Sequence, residues 1–271
     1  MKEEYLVDAK KLKDYLTHVF TALDVPQRDA EVTADVLVQA DLRGIESHGV
    51  ARIMRYAGRI QDKLIDPKPN IRIVSETPST MLIDGGNGLG QVVGVFAMEK
   101  CIAKAKTTGV CLATARNSNH YGIAGYYAMM ALKEDMMGIS LTNTWPLVAP
   151  TYGRKAMIGT NPIAVAIPTG NETQFVLDMA TSVVPIGKIE VSERREKNSP
   201  VGWGVDAEGR DTMDPKAIRQ GGALLPLGGT VEHAGYKGYG LGVIVDILAG
   251  VLAGGAFGLD VGRPEDPIIS N

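Results

Sequence analysis

The sequence predicts an α/β protein that opens with a helical region. Two observations carry this. Apolar residues recur at steps of three or four between positions 8 and 40, the period of one helix face. After a breaker at Asp66, Pro67, Lys68, Pro69 and Asn70, short β-branched runs alternate with longer helical ones. The 271 residues give room for one large domain or two ordinary ones. Hydrophobic residues at 45% against 22% charged support a packed core rather than disorder.

The elements follow in order. Leu12, Leu16, Val19 and Leu23 form one apolar stripe, with Asp8 placed to cap it. Pro26 stands where a second helix begins, and Val32, Val36 and Leu37 carry it to Ala40 before Gly44 breaks it. Ser47 is placed to cap a third helix, SHGVARIMRYAGRI. Beyond the breaker, IRIVSE and STMLIDG read as strands and GLGQVVGVFAMEKCIAKAKTTG as a helix. GVCLATARN is strand-like, AGYYAMMALKED helical, and MGISLTNTW, AVAIPT and QFVLDMA strand-like again. From 182 to 230 the chain is polar and rich in Gly and Pro, without long apolar runs. The segment 241–259 approaches the ~20 residues of a bilayer span. Asp246 would lie near its middle, at about 2.5–3.5 kcal/mol on insertion scales. Gly and Ala outnumber Leu there, so the segment reads as a buried helix packed closely through small residues, with no membrane partner expected.

The net charge of −3 excludes the basic footprint of a dedicated nucleic-acid binder. Cys101 and Cys111 form no CxxC and no zinc spacing, so neither a disulfide framework nor a thiolate metal site is expected. The N-terminus has no apolar stretch of a secretory signal, and with two cysteines the expected setting is the reducing cytoplasm.

Gly85, Gly86, Gly88, Gly90 and Gly94 cluster between a strand and a helix, where a dinucleotide fold places G-x-G-x-x-G. The spacing is wrong: Gln91 stands at the third glycine and Arg116 where an acidic residue should end the next strand. A tight strand-to-helix turn is the better reading. His48 would be the first helical residue after a Ser47 cap, where the helix terminus disfavours imidazolium and favours an anionic ligand. Arg52 and Tyr56 follow at i+4 and i+8, so a proton carrier, a carboxylate clamp and a hydroxyl would share one face. His120 lies in a loop between a strand and a helix, where α/β sites collect. Asp178 ends the strand FVLD and reads either as a helix cap or as the group that orients a histidine. His48, His120 and Asp178 also leave open a metal-dependent hydrolase or lyase, although no HExxH supports a metal.

Six strings, RGIESHGVARIMRY, RNSNHYGIAGYYAMMA, GTNPIAVAIPT, LDMATS, GWGVDAEG and LLPLGGTVEHAGYKGYGL, taken in order, resemble the type 2 malate/L-lactate dehydrogenase family over nearly the whole chain. The resemblance implies an NAD(P)-dependent 2-hydroxy acid dehydrogenase, transferring hydride reversibly to C2 of a small 2-oxo acid of the malate or lactate class. It implies a non-Rossmann mixed-sheet cofactor domain at 71–232 and a helical substrate domain at 1–70, completed by 233–271. His48 would be the acid/base with Asp178 as partner, and Ser47, Arg52, Tyr56 and His120 would bind the 2-oxo acid. NAD or NADP would lie along Asn143, Thr144, Asn161, Pro162, Met179, Ala180, Thr181, Ser182 and Lys237. A homodimer is implied as well. Family members continue past the string GRPEDPIISN with a segment that adds cofactor contacts, so a cofactor-binding but inactive module is the alternative to an active enzyme.

Overall fold

A computed structural model describes residues 6–170 and 173–262. Three helices come first: α1 (Ala9–Thr21), α2 (Gln27–Leu42) and α3 (Ile53–Gln61). Asp8 caps α1 by accepting a hydrogen bond from the Lys11 N–H. Leu16 and Phe20 of α1 meet Ala30, Ala34 and Leu37 of α2 and Tyr56 and Ile60 of α3 in one buried cluster. Each large side chain removed from water there contributes about 1.5–3 kcal/mol.

The strand and helix runs beyond the breaker fall where the periodicity places them. β1 (Arg72–Glu76) pairs antiparallel with β2 (Thr80–Asp84). α4 (Gly90–Thr108) then crosses over to β3 (Leu112–Arg116), which pairs parallel with β2. This sheet has the order β1-β2-β3. α5 (Ala124–Met130) follows, then an antiparallel sheet β4-β5-β6 of Gly138–Leu141, Ile163–Ile167 and Phe175–Met179. Ala124 and Ala128 of α5 pack on Ala164 and Ala166 of β5. Small residues on both faces allow that close approach.

The glycine cluster is an internal turn. A Cβ at Gly90 would overlap the backbone oxygen of Asn119. Glycine therefore lets the start of α4 abut the 119–120 loop, with no room between them for a phosphate. Leu89 and Val92 at that end of α4 join the helical cluster. The turn thus ties α3, α4 and the His120 loop together.

Three expectations need correction. Ser47 does not cap a helix: residues Glu46–His48 and Val50–Arg52 form two 3₁₀ turns, and the α-helix starts at Ile53. The reason is Asp41, whose carboxylate takes the Val50 N–H at 3.0 Å and fills the space where a side chain at Gly49 would go. The polar stretch after 182 holds more structure than its composition suggests: α6 (Ile186–Arg194), β7 (Gly204–Val205), α7 (Pro215–Arg219) and β8 (Ala223–Leu224). These elements are short and bury few side chains, so their apolar period is weak.

The small-residue segment becomes α8 (Gly235–Asp246), continued by a five-residue π-turn, Ile247–Val251. It is buried on one side only. Gly238 and Gly242 pack inward, the latter beside Ile158 and Thr181, while Leu241, Ile244, Ile247, Val251 and Leu252 stay exposed. Among the described residues no helix is long and apolar enough to cross a membrane. Residues 263–271, the end of the expected helical domain, lie outside the described residues.

Candidate active site

The site grows from the 3₁₀ turns before α3. His48 and His120 stack with ring centroids 5.5 Å apart and 20° between planes. Tyr56, at the end of the first turn of α3 and 1% exposed, places its hydroxyl 2.6 Å from His120 Nδ1. Ser47 Oγ lies 2.8 Å from His48 Nδ1. Arg52 donates from Nε to the Ser47 carbonyl at 2.6 Å, and Ser47, His48, Arg52, Tyr56 and His120 form one group.

The loop that carries His120 is held from α4's side. Asn119, 8% exposed, donates its amide to Asn87 and to the Gly88 carbonyl. The Gly122 N–H donates to His120 Nδ1 at 3.3 Å. A backbone N–H can only donate, so Nδ1 carries no proton and the neutral ring carries it on Nε2. The Tyr56 hydroxyl must therefore donate to Nδ1 as well.

Electrostatics favour uncharged rings. Burial first, then the Arg52 and Arg55 guanidinium groups, pull the His48 pKa down to about 4. Burial, His48, Arg55 and Arg52 hold His120 well below the ordinary histidine value. Burial pushes the Tyr56 phenol up to about 12. At neutral pH the site presents two neutral imidazoles, a neutral phenol and two fixed guanidinium charges. The helix terminus argued from the sequence plays no part in lowering His48, because no α-helix starts there.

Arg55 is a site residue that sequence reasoning missed. It lies one turn before Arg59 on the α3 face, and its guanidinium sits 5.6 Å from the Trp145 ring centroid. The i+7 relation to His48 was a readable signal, masked by the assumption of a helix starting at Ser47.

Asp178 stands elsewhere. On β6 it pairs with Ala164, and its Oδ2 accepts the Gly125 N–H at 2.8 Å. That N–H belongs to the first turn of α5, whose amides lack intrahelical partners. The carboxylate makes its hydrogen bond to Gly125, and Ser47 is the side chain within hydrogen-bond distance of His48. Burial raises the Asp178 pKa, with Gly125 and Arg43 opposing. Among the described residues no group of three or more His, Cys, Asp and Glu could hold a metal.

The residues expected to line a nicotinamide cofactor gather around α8 and the ends of β4, β5 and β6. Asn161, fully buried, accepts the Thr144 N–H and donates to the Gly242 carbonyl. Thr181 donates to the Asn161 and Thr160 carbonyls, Asn143 to Ala256, and Ser182 to Val184. Pro162 follows Asn161, and Met179 and Ala180 close β6. Lys237 is exposed in the first turn of α8. The Gly235 and Lys237 N–H groups there are taken by the Thr230 and Ala234 carbonyls, so it is the exposed Lys237 side chain at the helix start that suits a phosphate. The residues fit a dinucleotide in that sense: a cationic helix start beside a polar, amide-rich strand edge. The Arg55–Trp145 contact links this region to the imidazole pair.

The chain matches the family model described as malate/L-lactate dehydrogenase over residues 7–269. It is 54% identical over 257 residues to malate dehydrogenase of Pyrococcus horikoshii, covering 94% of this chain and 71% of that protein. It is 46% identical to L-sulfolactate dehydrogenase of Methanocaldococcus jannaschii, covering 90% and 68%. The solved structure of malate dehydrogenase from Entamoeba histolytica superposes with a TM-score of 0.92 at 34% identity, covering 96% of this chain and 74% of that one. With the family model spanning nearly the whole sequence and the fold shared with solved relatives, the chain belongs to the malate/L-lactate dehydrogenase family.

Proposed function

We propose that the chain is an NAD(P)-dependent dehydrogenase that moves hydride reversibly between the cofactor and C2 of a small 2-hydroxy acid. The observation that carries this reading is the pair of stacked, neutral imidazoles flanked by Arg52 and Arg55. An anion fits two guanidinium charges, and a proton acceptor beside it fits alcohol oxidation. The relatives named for malate and for sulfolactate act on molecules that carry two anionic groups, and Arg52 with Arg55 supply two cations. A malate-class substrate is favoured on that ground over a lactate-class one.

The roles follow from the contacts. Arg52 holds its Nε on the Ser47 carbonyl, which leaves both Nη groups to clamp a carboxylate. His48 passes its Nδ1 proton toward Ser47 Oγ and keeps Nε2 free to take the substrate hydroxyl proton. His120, with Nε2–H, donates to the same oxygen as it becomes a carbonyl. Arg55 takes the second anionic group. The nicotinamide, when bound, supplies or accepts the hydride. Asn143, Thr144, Asn161, Pro162 and the 179–182 stretch would hold it, with Lys237 near its phosphates. Anion binding neutralises Arg52 and Arg55 and so lifts the His48 pKa, which readies His48 to donate in the reverse direction.

A homodimer accompanies this reading, supported by the exposed apolar side of α8. So does a reducing, cytoplasmic setting, supported by the free thiols of Cys101 and Cys111. The test is a fluorescence titration with NADH and NADPH, followed by a screen of mono- and dianionic 2-oxo acids. Cofactor oxidation with a 2-oxo acid is expected. Cofactor binding without turnover would select an inactive binding module, and chelator-sensitive activity indifferent to nicotinamide would select a metal enzyme.

A further inference from the structure

Gln91 lies in the first turn of α4, fully buried, and was noted in the sequence only as the residue that breaks a glycine motif. Its neighbours Leu89 and Val92 pack in the cluster that holds Tyr56, and Gln91 opposes the burial that raises the Tyr56 phenol, yet neither its Nε2 nor its Oε1 completes a hydrogen bond within the protein. A buried primary amide left in that state costs about 1–3 kcal/mol, so its position calls for a reason. Its neighbour supplies one. The Tyr56 hydroxyl gives its proton to His120 Nδ1, which leaves the phenol oxygen as an acceptor.

We propose that Gln91 is a positioning residue: its amide N–H turns to the Tyr56 oxygen, commits the phenol proton to His120, and so, together with the Gly122 N–H on the same ring nitrogen, holds His120 as the Nε2–H donor used on substrate. The inference rests on the dehydrogenase reading for its substrate, but its structural half does not. If Gln91 offered its carbonyl instead, the phenol would donate to Gln91 and accept from His120, and the imidazole proton would move to the wrong nitrogen. Gly122 opposes that exchange from the other side of Nδ1. Gln91 and Gly122 therefore favour the same arrangement, with the phenol proton on His120 Nδ1. The glycine neighbour matters too: without a Cβ at 90 the start of α4, which carries Gln91, sits directly against the His120 loop.

The experiment compares wild type, Gln91→Met, Tyr56→Phe and the double variant. Nitrogen NMR of imidazole-labelled protein reads the His120 tautomer, independent of turnover. Wild type is expected to show Nε2–H alone, and Gln91→Met a mixture with Nδ1–H. With cofactor and 2-oxo acid, Gln91→Met should lose about tenfold in kcat, the size of one hydrogen bond, with cofactor KM unchanged. In the Tyr56→Phe background the same change should cost nothing more, because Gln91 acts through the phenol. A pure Nε2–H ring in Gln91→Met, or additive losses in the double variant, would overturn the proposal. Should Gln91→Met fail to fold, Gln91→Glu of matched shape provides the same NMR readout, with Nδ1–H expected and unchanged Nε2–H refuting it. Absence of turnover in wild type would count against the dehydrogenase reading alone, since the tautomer is read without it.

Discussion

The Tyr56 hydroxyl and His120 Nδ1 stand 2.6 Å apart although 64 positions separate them in the chain. One comes from α3 and the other from the loop after β3, and the close seat of α4 brings them together. That single bond joins the helical region to the α/β region at the stacked imidazoles. With the Gly122 N–H donating to the same Nδ1, the His120 proton stands on Nε2, from which the chemistry of the site follows.

Replacing His48 by Ala should lower kcat by about 10²–10⁴, the range for removing a positioned acid/base, while NAD(P)H affinity stays within about twofold. Steady-state kinetics with a parallel fluorescence titration separates the two. A variant that kept wild-type kcat would remove His48 from the mechanism.

Arg52→Lys should cost about tenfold or more in kcat/KM for any 2-oxo acid, because an ammonium cannot offer two parallel Nη donors or reach back to the Ser47 carbonyl. Arg55→Gln should act selectively. Its KM for a dianionic substrate should rise by about 10–100-fold, the weight of a lost charged hydrogen bond, with little change for a monoanionic one. Equal effects on both substrates would remove Arg55 from the second anion site.

Stability should depend on acid pH in a defined direction. His48 falls from 6.5 to about 4 in the folded state, and His120 also falls, so the unfolded chain binds more protons than the folded one in that window. Stability from these groups is complete above pH 6.5 and declines as the pH drops toward 4. Urea midpoints at pH 7.5, 5.5 and 4.5 should decrease in that order. In the His48→Gln variant the slope should be shallower, and an identical slope would show that His48 is not buried neutral.

Gly90→Ala should destabilise by at least the ~1–3 kcal/mol typical of overpacking, because the new methyl would overlap the Asn119 carbonyl. Thermal unfolding measures the loss. Activity should fall with it, since the same shift moves Gln91 and the His120 loop apart.

The regular elements were legible because each is written in local periodicity. The Asp8 cap, the stop at Gly44, the strands from 72 onward and the turn at the glycine cluster depend on neighbours a few residues away. Site residues were partly legible for the same reason: Ser47, His48, Arg52 and Tyr56 lie within ten positions, and His120 announced itself by its loop. The 3₁₀ start before α3 was not legible, since it depends on the Asp41 carboxylate reaching across from α2.

The chain by itself therefore determined the α/β class, the order of its elements and the side chains available for chemistry. Tertiary packing alone decided the partners. It set the Asp178 carboxylate on the Gly125 N–H at the start of α5, put Arg55 over Trp145, and buried Gln91 without a partner at the start of α4. The physical reason is range: dihedral preference and apolar period act over a few residues, whereas a proton's position on an imidazole depends on every donor and acceptor that folding brings within about 3 Å.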